Sequence, residues 1–260
     1  MTVLVDPPRW PAHGRLWSHV ASDTSLAELH AFAAAVGIPQ RSFEGDHYDI
    51  PEERYAEVVA AGAAEVGGTE LARRLRDSGL RFRKRKGERP LARVEDGLAG
   101  VAPTPHVLEV VASPMERLGA GASVVLLRAR GVPDRMVLVR NSTREGWGAP
   151  GGKRELSDGS ARAAAVREVA EEIAVDLVQE RLAPVGYQRI TLPAGHGARS
   201  WDEGDNYVQV YAATLPAPVP LRPDGVEVLE ARWLTAEEAR AVAGSAPWWP
   251  LAEWWWAHGG

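Results

Sequence analysis

The sequence predicts two mixed domains, α/β in its first part and α+β in its second, and three observations support this. Short apolar strands alternate with helical stretches from Met1 to about Lys86. Further on, two apolar runs lead into a Pro-Gly-Gly-Lys turn at 150–153, and an amphipathic helix follows. Between these patterns lies a basic run at 81–86 followed by Gly and Pro punctuation. A length of 260 residues suits two modest domains. The expected boundaries are 1–88 for a small α/β domain, 89–118 for a linker and lead-in, and 119–260 for the second domain.

In the first domain, residues 2–5 read as a strand. Ser25, with Glu28 three residues later, forms a capping box that opens a helix, and Gly37-Ile-Pro39 closes it. Residues 42–50 are extended, and Pro51 starts a second helix that ends near Gly62. A third strand at 64–66 and a third helix at 69–78 complete an alternation that favours a largely parallel sheet. Residues 107–118 look helical. In the second domain, 122–127 and 136–139 read as strands. The helix after the turn has Ala163, Val166, Val169, Ala170 and Ile173 to bury. Strands follow at 207–213 and 226–234, the latter running into Arg-Trp-Leu-Thr-Ala-Glu-Glu.

Composition narrows the function classes. With 45% hydrophobic and 25% charged residues the chain is expected to be globular. A net charge of −5 argues against general coating of nucleic acid. The absence of cysteine removes disulfides, thiolate metal sites and cysteine nucleophiles. No apolar stretch approaches bilayer length and no leader pattern opens the chain, so cytoplasmic residence is expected.

The chemistry concentrates in Ala149-Pro-Gly-Gly-Lys-Arg-Glu155 and Arg167-Glu-Val-Ala-Glu-Glu172. On a helix Glu168 and Glu172 lie one turn apart with Glu171 beside them, so all three can face one point. Clustered carboxylates repel unless a cation holds them, and hard oxygen donors suit Mg²⁺ or Mn²⁺. Arg167 is placed to hold one carboxylate by a two-point hydrogen bond. This arrangement reads as metal-assisted attack of water on a diphosphate.

At these residues the sequence resembles the Nudix hydrolase family. The family signature is a glycine, a spacer, a glutamate, a second spacer, then Arg-Glu-apolar-x-Glu-Glu-x-Gly-apolar. Gly152 opens the motif, and Arg167, Glu168, Val169, Glu171 and Glu172 match its second half. The resemblance implies an α/β/α sandwich and cleavage of a nucleoside diphosphate linked to another group. It also implies Glu168, Glu171 and Glu172 as metal ligands, with the Gly151 carbonyl a further candidate, and Mg²⁺ as cofactor with Mn²⁺ an alternative. Three departures stand out. The segment before Arg167 is one residue longer than usual. The isolated glutamate falls on Gly159, beside Asp158, which can serve as a ligand if the loop bulges. The late glycine is Ala174.

Lys153 is a candidate for a phosphate oxygen, and Trp201 for stacking on a nucleobase. Candidates for the general base are Glu203, in the long loop 194–206 with His196, Asp202 and Asp205, and also Glu227 and Glu230. The expected partner is a small nucleotide-type substrate. Nucleoside triphosphates, nucleotide sugars, dinucleoside polyphosphates and capped RNA ends all stay open. The tryptophan-rich stretch 248–256 reads as a packing surface against the other domain or a second subunit, as in a homodimer. The basic run 81–86 reads as a solvated strand or linker before a phosphate or RNA site.

The first half is also similar to a small bacterial family, domain of unknown function 4031. Asp6-Pro-Pro-Arg-Trp10, Trp17-Ser-His19, Ala27-Glu-Leu-His30 and His47-Tyr-Asp49 carry that likeness, and no activity comes with it. Four of the seven histidines fall in the first fifty residues. Ligand sites of parallel α/β sheets gather beyond the carboxyl ends of strands, so Asp6, His19, Asp23, His47 and Asp49 can converge there as a metal or phosphate site. Imidazole and carboxylate donors would suit Zn²⁺, Mn²⁺ or Fe²⁺. Against this, His30 reads as a core residue and Asp23 as a helix cap. Two rival functions stay open: a Nudix-fold sensor that binds a nucleotide without cleaving it, and an N-terminal enzyme regulated by the second half.

Overall fold

The computed structural model describes residues 2–98, 104–143, 146–197 and 201–258. Two compact units divide the chain, Met1–Arg85 and Lys86–Gly260.

The first unit contains β1 (Val3–Val5), β2 (Trp10–Ala12), β3 (Arg15–Ser22), β4 (His47–Pro51) and β5 (Ala64–Glu65). Its helices are α1 (Leu26–Val36), α2 (Tyr55–Ala60) and α3 (Gly68–Asp77). β3 is central: β4 lies along one side while β1 and β2 share the other, all antiparallel to it. Among the described strands of this sheet, only β1 and β5 pair in parallel. The unit is mixed α/β, but the expected largely parallel pairing is corrected. β2 and β3 fill the stretch between the first strand and first helix, where the alternation predicts none. His13 and Gly14 both have positive φ, 52° and 76°, forming the two-residue turn whose twist suits a hairpin.

Side-chain alternation along these strands covers both sheet faces. Val5, Val20, Tyr48 and Ile50 pack with Leu29 of α1 and Val58 of α2, while Leu4 and Ala21 meet Leu71 and Leu75 of α3. Only half of the expected capping box forms at α1. Ser25 accepts from the Glu28 N–H (3.1 Å), but the Glu28 carboxylate accepts from the Ser22 hydroxyl instead of returning to the cap. The basic run 81–86 forms no regular element. Phe82 is buried within it and donates its N–H to Asp46 (2.6 Å), and Lys84 pairs with Glu44 (2.7 Å).

The second unit has strands β6 (Arg89–Glu95), β7 (Val107–Ala112), β8 (Ala122–Ala129), β9 (Arg135–Asn141), β10 (Gly151–Lys153), β11 (Ala183–Leu192), β12 (Gly204–Leu215) and β13 (Val228–Thr235). Its helices are α4 (Ala161–Ile173), α5 (Ala236–Ala243) and α6 (Trp249–His258). Six strands form one sheet in the order β10-β8-β12-β11-β7-β6, and β9 pairs with β13. Val125, Leu127 and Tyr211 face Val169 and Ile173 of α4, whereas Leu126, Val210 and Ile190 face Trp249, Leu251 and Trp255 of α6. The result is an α/β/α sandwich.

One expectation fails in this unit. The segment 89–118, read as linker with a helical stretch, supplies β6 and β7. Val107, Val110 and Val111 favour a strand, and hydrogen bonding to both β6 and β11 overrides any helical spacing. The tryptophan-rich stretch, read as a packing surface for another domain or a second subunit, buries Trp249 and Trp255 against its own sheet. Among the described residues, no helix is long and apolar enough to cross a membrane.

Candidate active site

Ser160 caps α4 by accepting the Ala163 N–H (3.1 Å). The buried side of the helix runs through Ala161, Ala164, Ala165, Val169, Glu172 and Ile173. It shares Val169 and Ile173 with the expected apolar face but is rotated relative to it, which turns Glu172 inward. Only 3% of Glu172 is exposed, and its Oε2 accepts the Gly151 N–H (2.7 Å). Glu168 is partly buried, and Glu171 stands at the rim with 60% of its side chain exposed.

Pairing of β10 with β8 brings the glycine turn to this helix. Gly151 has φ 141°, and a Cβ there would lie 2.2 Å from the Ser123 carbonyl oxygen. A Cβ on Gly152 would lie 2.5 Å from the Glu168 carboxylate. Close approach to backbone and the positive φ demand glycine at Gly151, while at Gly152 the neighbour is the movable end of the Glu168 side chain.

Arg167 links the acidic groups. Its Nη1 lies 2.8 Å from Glu171 and 3.0 Å from Glu168, and its Nη2 donates to the Lys153 carbonyl (3.0 Å). The two-point bond falls on Asp158, through Nη2 (2.9 Å) and Nε (3.3 Å), and not on one of the three glutamates. Asp158 also accepts the Glu155 N–H (2.8 Å), so both of its oxygens are engaged in shaping the loop. The Arg167 hydrogen bond holds Asp158 below the usual carboxylate range against the cost of burial. Burial pushes Glu168 up. Arg167 opposes that shift, while the charges of Glu171 and Glu227 add to it.

Lys153 and Trp201 come together, with the ammonium 5.9 Å from the indole centroid. Glu203 accepts the Gly195 N–H (2.8 Å) and so clamps its own loop, of which 198–200 lie outside the described residues. Glu230 pairs with Arg140 (3.4 Å) and Arg232. A cavity of about 870 Å³ elsewhere on this unit is lined by Arg89, Arg128, Arg130, Arg181 and Trp254, and shares no residue with the glutamate helix.

In the first unit, four of the five predicted residues gather. The β3–β4 register sets His19 opposite Asp49, with His47 two residues along the same strand. His19 Nδ1 bonds Asp6 (2.9 Å), and the two rings meet edge-on at 5.0 Å. Asp23 does not join them; it pairs with Arg74, whose Nε lies 2.9 Å away. His30 bonds the Tyr48 hydroxyl (2.8 Å) and is a core residue whose pKa burial lowers. Sequence reasoning missed Asp46, which is buried and bonds His47 Nδ1. The adjacent Asp-His pair was the available signal. Burial opposes charge on His47, but the hydrogen bonds and charges of Asp46 and Asp49 outweigh it and push the ring up to about 9.

Residues 117–252 match the family model described as NUDIX domain, and residues 3–78 match one described as Protein of unknown function (DUF4031). No curated protein matches the chain. Among solved structures, the chain is similar to the E. coli dihydroneopterin triphosphate pyrophosphohydrolase at 22% identity and TM-score 0.40, covering 51% of this chain and 92% of that one. A C. elegans Ap4A hydrolase binary complex is 19% identical at TM-score 0.38, covering 51% and 93%. The NUDIX domain of Shewanella oneidensis NrtR, complexed with ADP ribose, is 17% identical at TM-score 0.42, covering 54% and 87%.

Proposed function

The chain belongs to the Nudix hydrolase family through residues 117–252, and is thus a hydrolase of pyrophosphate linkages in nucleoside diphosphate derivatives; on that premise we propose that Glu168, Glu171 and Glu172 hold Mg²⁺, with Mn²⁺ able to replace it. The observation that carries this reading is the placement of Glu172 and Glu168 of one helix against the glycine turn, with Arg167 joining Glu168 to Glu171 at the rim. The donor set fits: all are hard oxygens, and Glu168 is held above its usual range by burial, a strain that a cation relieves. The Gly151 carbonyl is a further oxygen of the same kind.

When bound, such an ion supplies Lewis acidity and neutralises charge developing on the phosphates. The chain's own residues do the positioning. Glu172 ties α4 to the glycine turn, and Asp158 fixes the guanidinium of Arg167, which in turn orients Glu168 and Glu171. Lys153 is assigned to a phosphate oxygen and Trp201 to the face of the base. Glu203 and Glu230 are both engaged elsewhere, which favours Glu227 as the base that takes a proton from the attacking water. Its charge reaches Glu168.

The test is phosphate or pyrophosphate release from a panel of nucleoside diphosphate derivatives, with Mg²⁺ or Mn²⁺, beside a Glu171→Gln variant. Metal-dependent turnover that falls at least ~10²-fold in the variant is the expected result. Equal turnover in the variant overturns the ligand assignment. Nucleotide binding with no turnover in the parent chain would favour the sensor.

A further inference from the structure

The first unit carries a second set of metal-type donors, unrelated to the glutamate helix. In both His19 and His47 the Nδ1 atom is bound to a buried carboxylate, Asp6 for one and Asp46 for the other. Those carboxylates are themselves anchored. Asp6 accepts the His19 N–H (2.6 Å) and the Trp10 indole N–H (3.2 Å), while Asp46 accepts the Phe82 N–H (2.6 Å) and lies 3.5 Å from Arg81. Tying down one ring nitrogen in this way sets the tautomer and aims the other.

Both Nε2 atoms are aimed at the same atom, Asp49 Oδ1, at 3.9 Å from His19 and 3.3 Å from His47. That oxygen is buried and accepts no hydrogen bond of good geometry. One ligand atom from each of His19, His47 and Asp49 lies within 4.8 Å of the other two, a spread that a small contraction closes around an ion ~2.1 Å from each. A purely structural histidine usually satisfies its second nitrogen with a backbone or hydroxyl group. Here two imidazoles and a carboxylate converge instead, each backed by its own partner.

We propose that His19, His47 and Asp49 form a binding site for a divalent transition-metal ion of the zinc class, with Asp6 and Asp46 as positioning residues. Two imidazoles and one carboxylate select borderline ions such as Zn²⁺, Co²⁺ or Fe²⁺ over Mg²⁺. Three protein ligands leave at least one coordination position open to water or an anionic ligand. Asp6 and Asp46, each 2% exposed, lie behind the two imidazoles, and the Asp49 side chain is the most exposed of the group at 39%. This site is independent of the reading given for the glutamate helix.

The experiment is titration of the untagged, chelator-stripped full chain with Co²⁺, read by visible absorption and by paramagnetically shifted imidazole proton signals. One equivalent is expected to give nitrogen-ligand bands and two shifted imidazoles, displaceable by Zn²⁺. His19→Ala and His47→Ala should lose the bands, and Glu168→Gln should keep them. Should the alanine variants fail to fold, Asp6→Asn leaves all three ligands in place and should weaken Co²⁺ binding by about 10–100-fold. Absence of shifted imidazole signals in the parent chain overturns the proposal, as do bands that survive in the folded histidine variants or vanish with Glu168→Gln.

Discussion

The two units gather charged groups in opposite ways. In the second, Glu168, Glu171 and Glu172 sit on one helix, and a single arginine joins the first two while the third holds the glycine turn. In the first, Asp6 follows β1 while His19 and Asp49 come from the paired strands β3 and β4, and each imidazole has its own buried carboxylate. Helix spacing produces an all-oxygen cluster that one turn of chain encodes, suited to an ion shared with phosphates. Strand pairing produces a mixed nitrogen and oxygen cluster from residues up to thirty positions apart, suited to an ion held by the protein alone. One motif can be read locally; the other exists only once a sheet has formed.

The largest expected effect separates the two sites. Glu168→Gln should lower hydrolytic turnover at least ~10²-fold while leaving the Co²⁺ spectrum of the full chain in place. Loss of both in a folded variant would break the distinction between the sites.

A second contrast lies in pH. His47 has a folded pKa raised to about 9 from an ordinary value near 6.5. Its stabilising contribution is therefore complete below about pH 6.5 and is lost as pH rises through about 9. Metal-free parent chain should show a falling melting temperature across that alkaline window, and His47→Asn should flatten the fall. An unchanged slope in the variant would mean that the Asp46 and Asp49 partnership does not persist in solution.

Asp158 gives the second unit the opposite limb. Its folded pKa is lowered by Arg167, so its contribution is present above about pH 4 and is lost as pH falls through the folded value. Asp158→Asn should cost about 2 kcal/mol in denaturant unfolding at neutral pH, because the charged acceptor of two Arg167 bonds is gone. It should also lower turnover by releasing Arg167. Full activity in that variant would remove Asp158 as the group that fixes the arginine.

The smallest effect concerns how two helices end. α1 closes on Gly37 at φ 74°, whereas α4 closes on Ala174 at φ 54°, where the family signature has glycine. A Cβ in the left-handed region is strained, so Ala174→Gly should stabilise the chain by about 1 kcal/mol. A destabilised variant would show that the Ala174 methyl packs more favourably than its backbone strain costs.

Much of this architecture is legible in the sequence. Ser25 and Gly37 bracket α1 as predicted, and the apolar runs at 122–127 and 207–213 lie within β8 and β12. Capping, turn chemistry and helical spacing are interactions between near neighbours, and a single strand of text contains them. The misreadings share a different origin. β7 has the spacing of a helix but lies between two strands, and β3 is central because a positive-φ pair at His13-Gly14 folds β2 back upon it. Asp23 reads as a fifth member of the first-unit cluster, but its partner is Arg74, fifty-one positions away.

The sequence by itself determined the glutamate triad, the glycine turn beside it and the donor types available to each unit, since these follow from residue identity and spacing within one or two turns of chain. Tertiary structure alone decided that Glu172 points inward to Gly151, that Asp158 serves Arg167, and that His19 and His47 converge on Asp49. The reason is that a side chain's partner across a sheet depends on register, and register is set by the burial of every other residue in the strand.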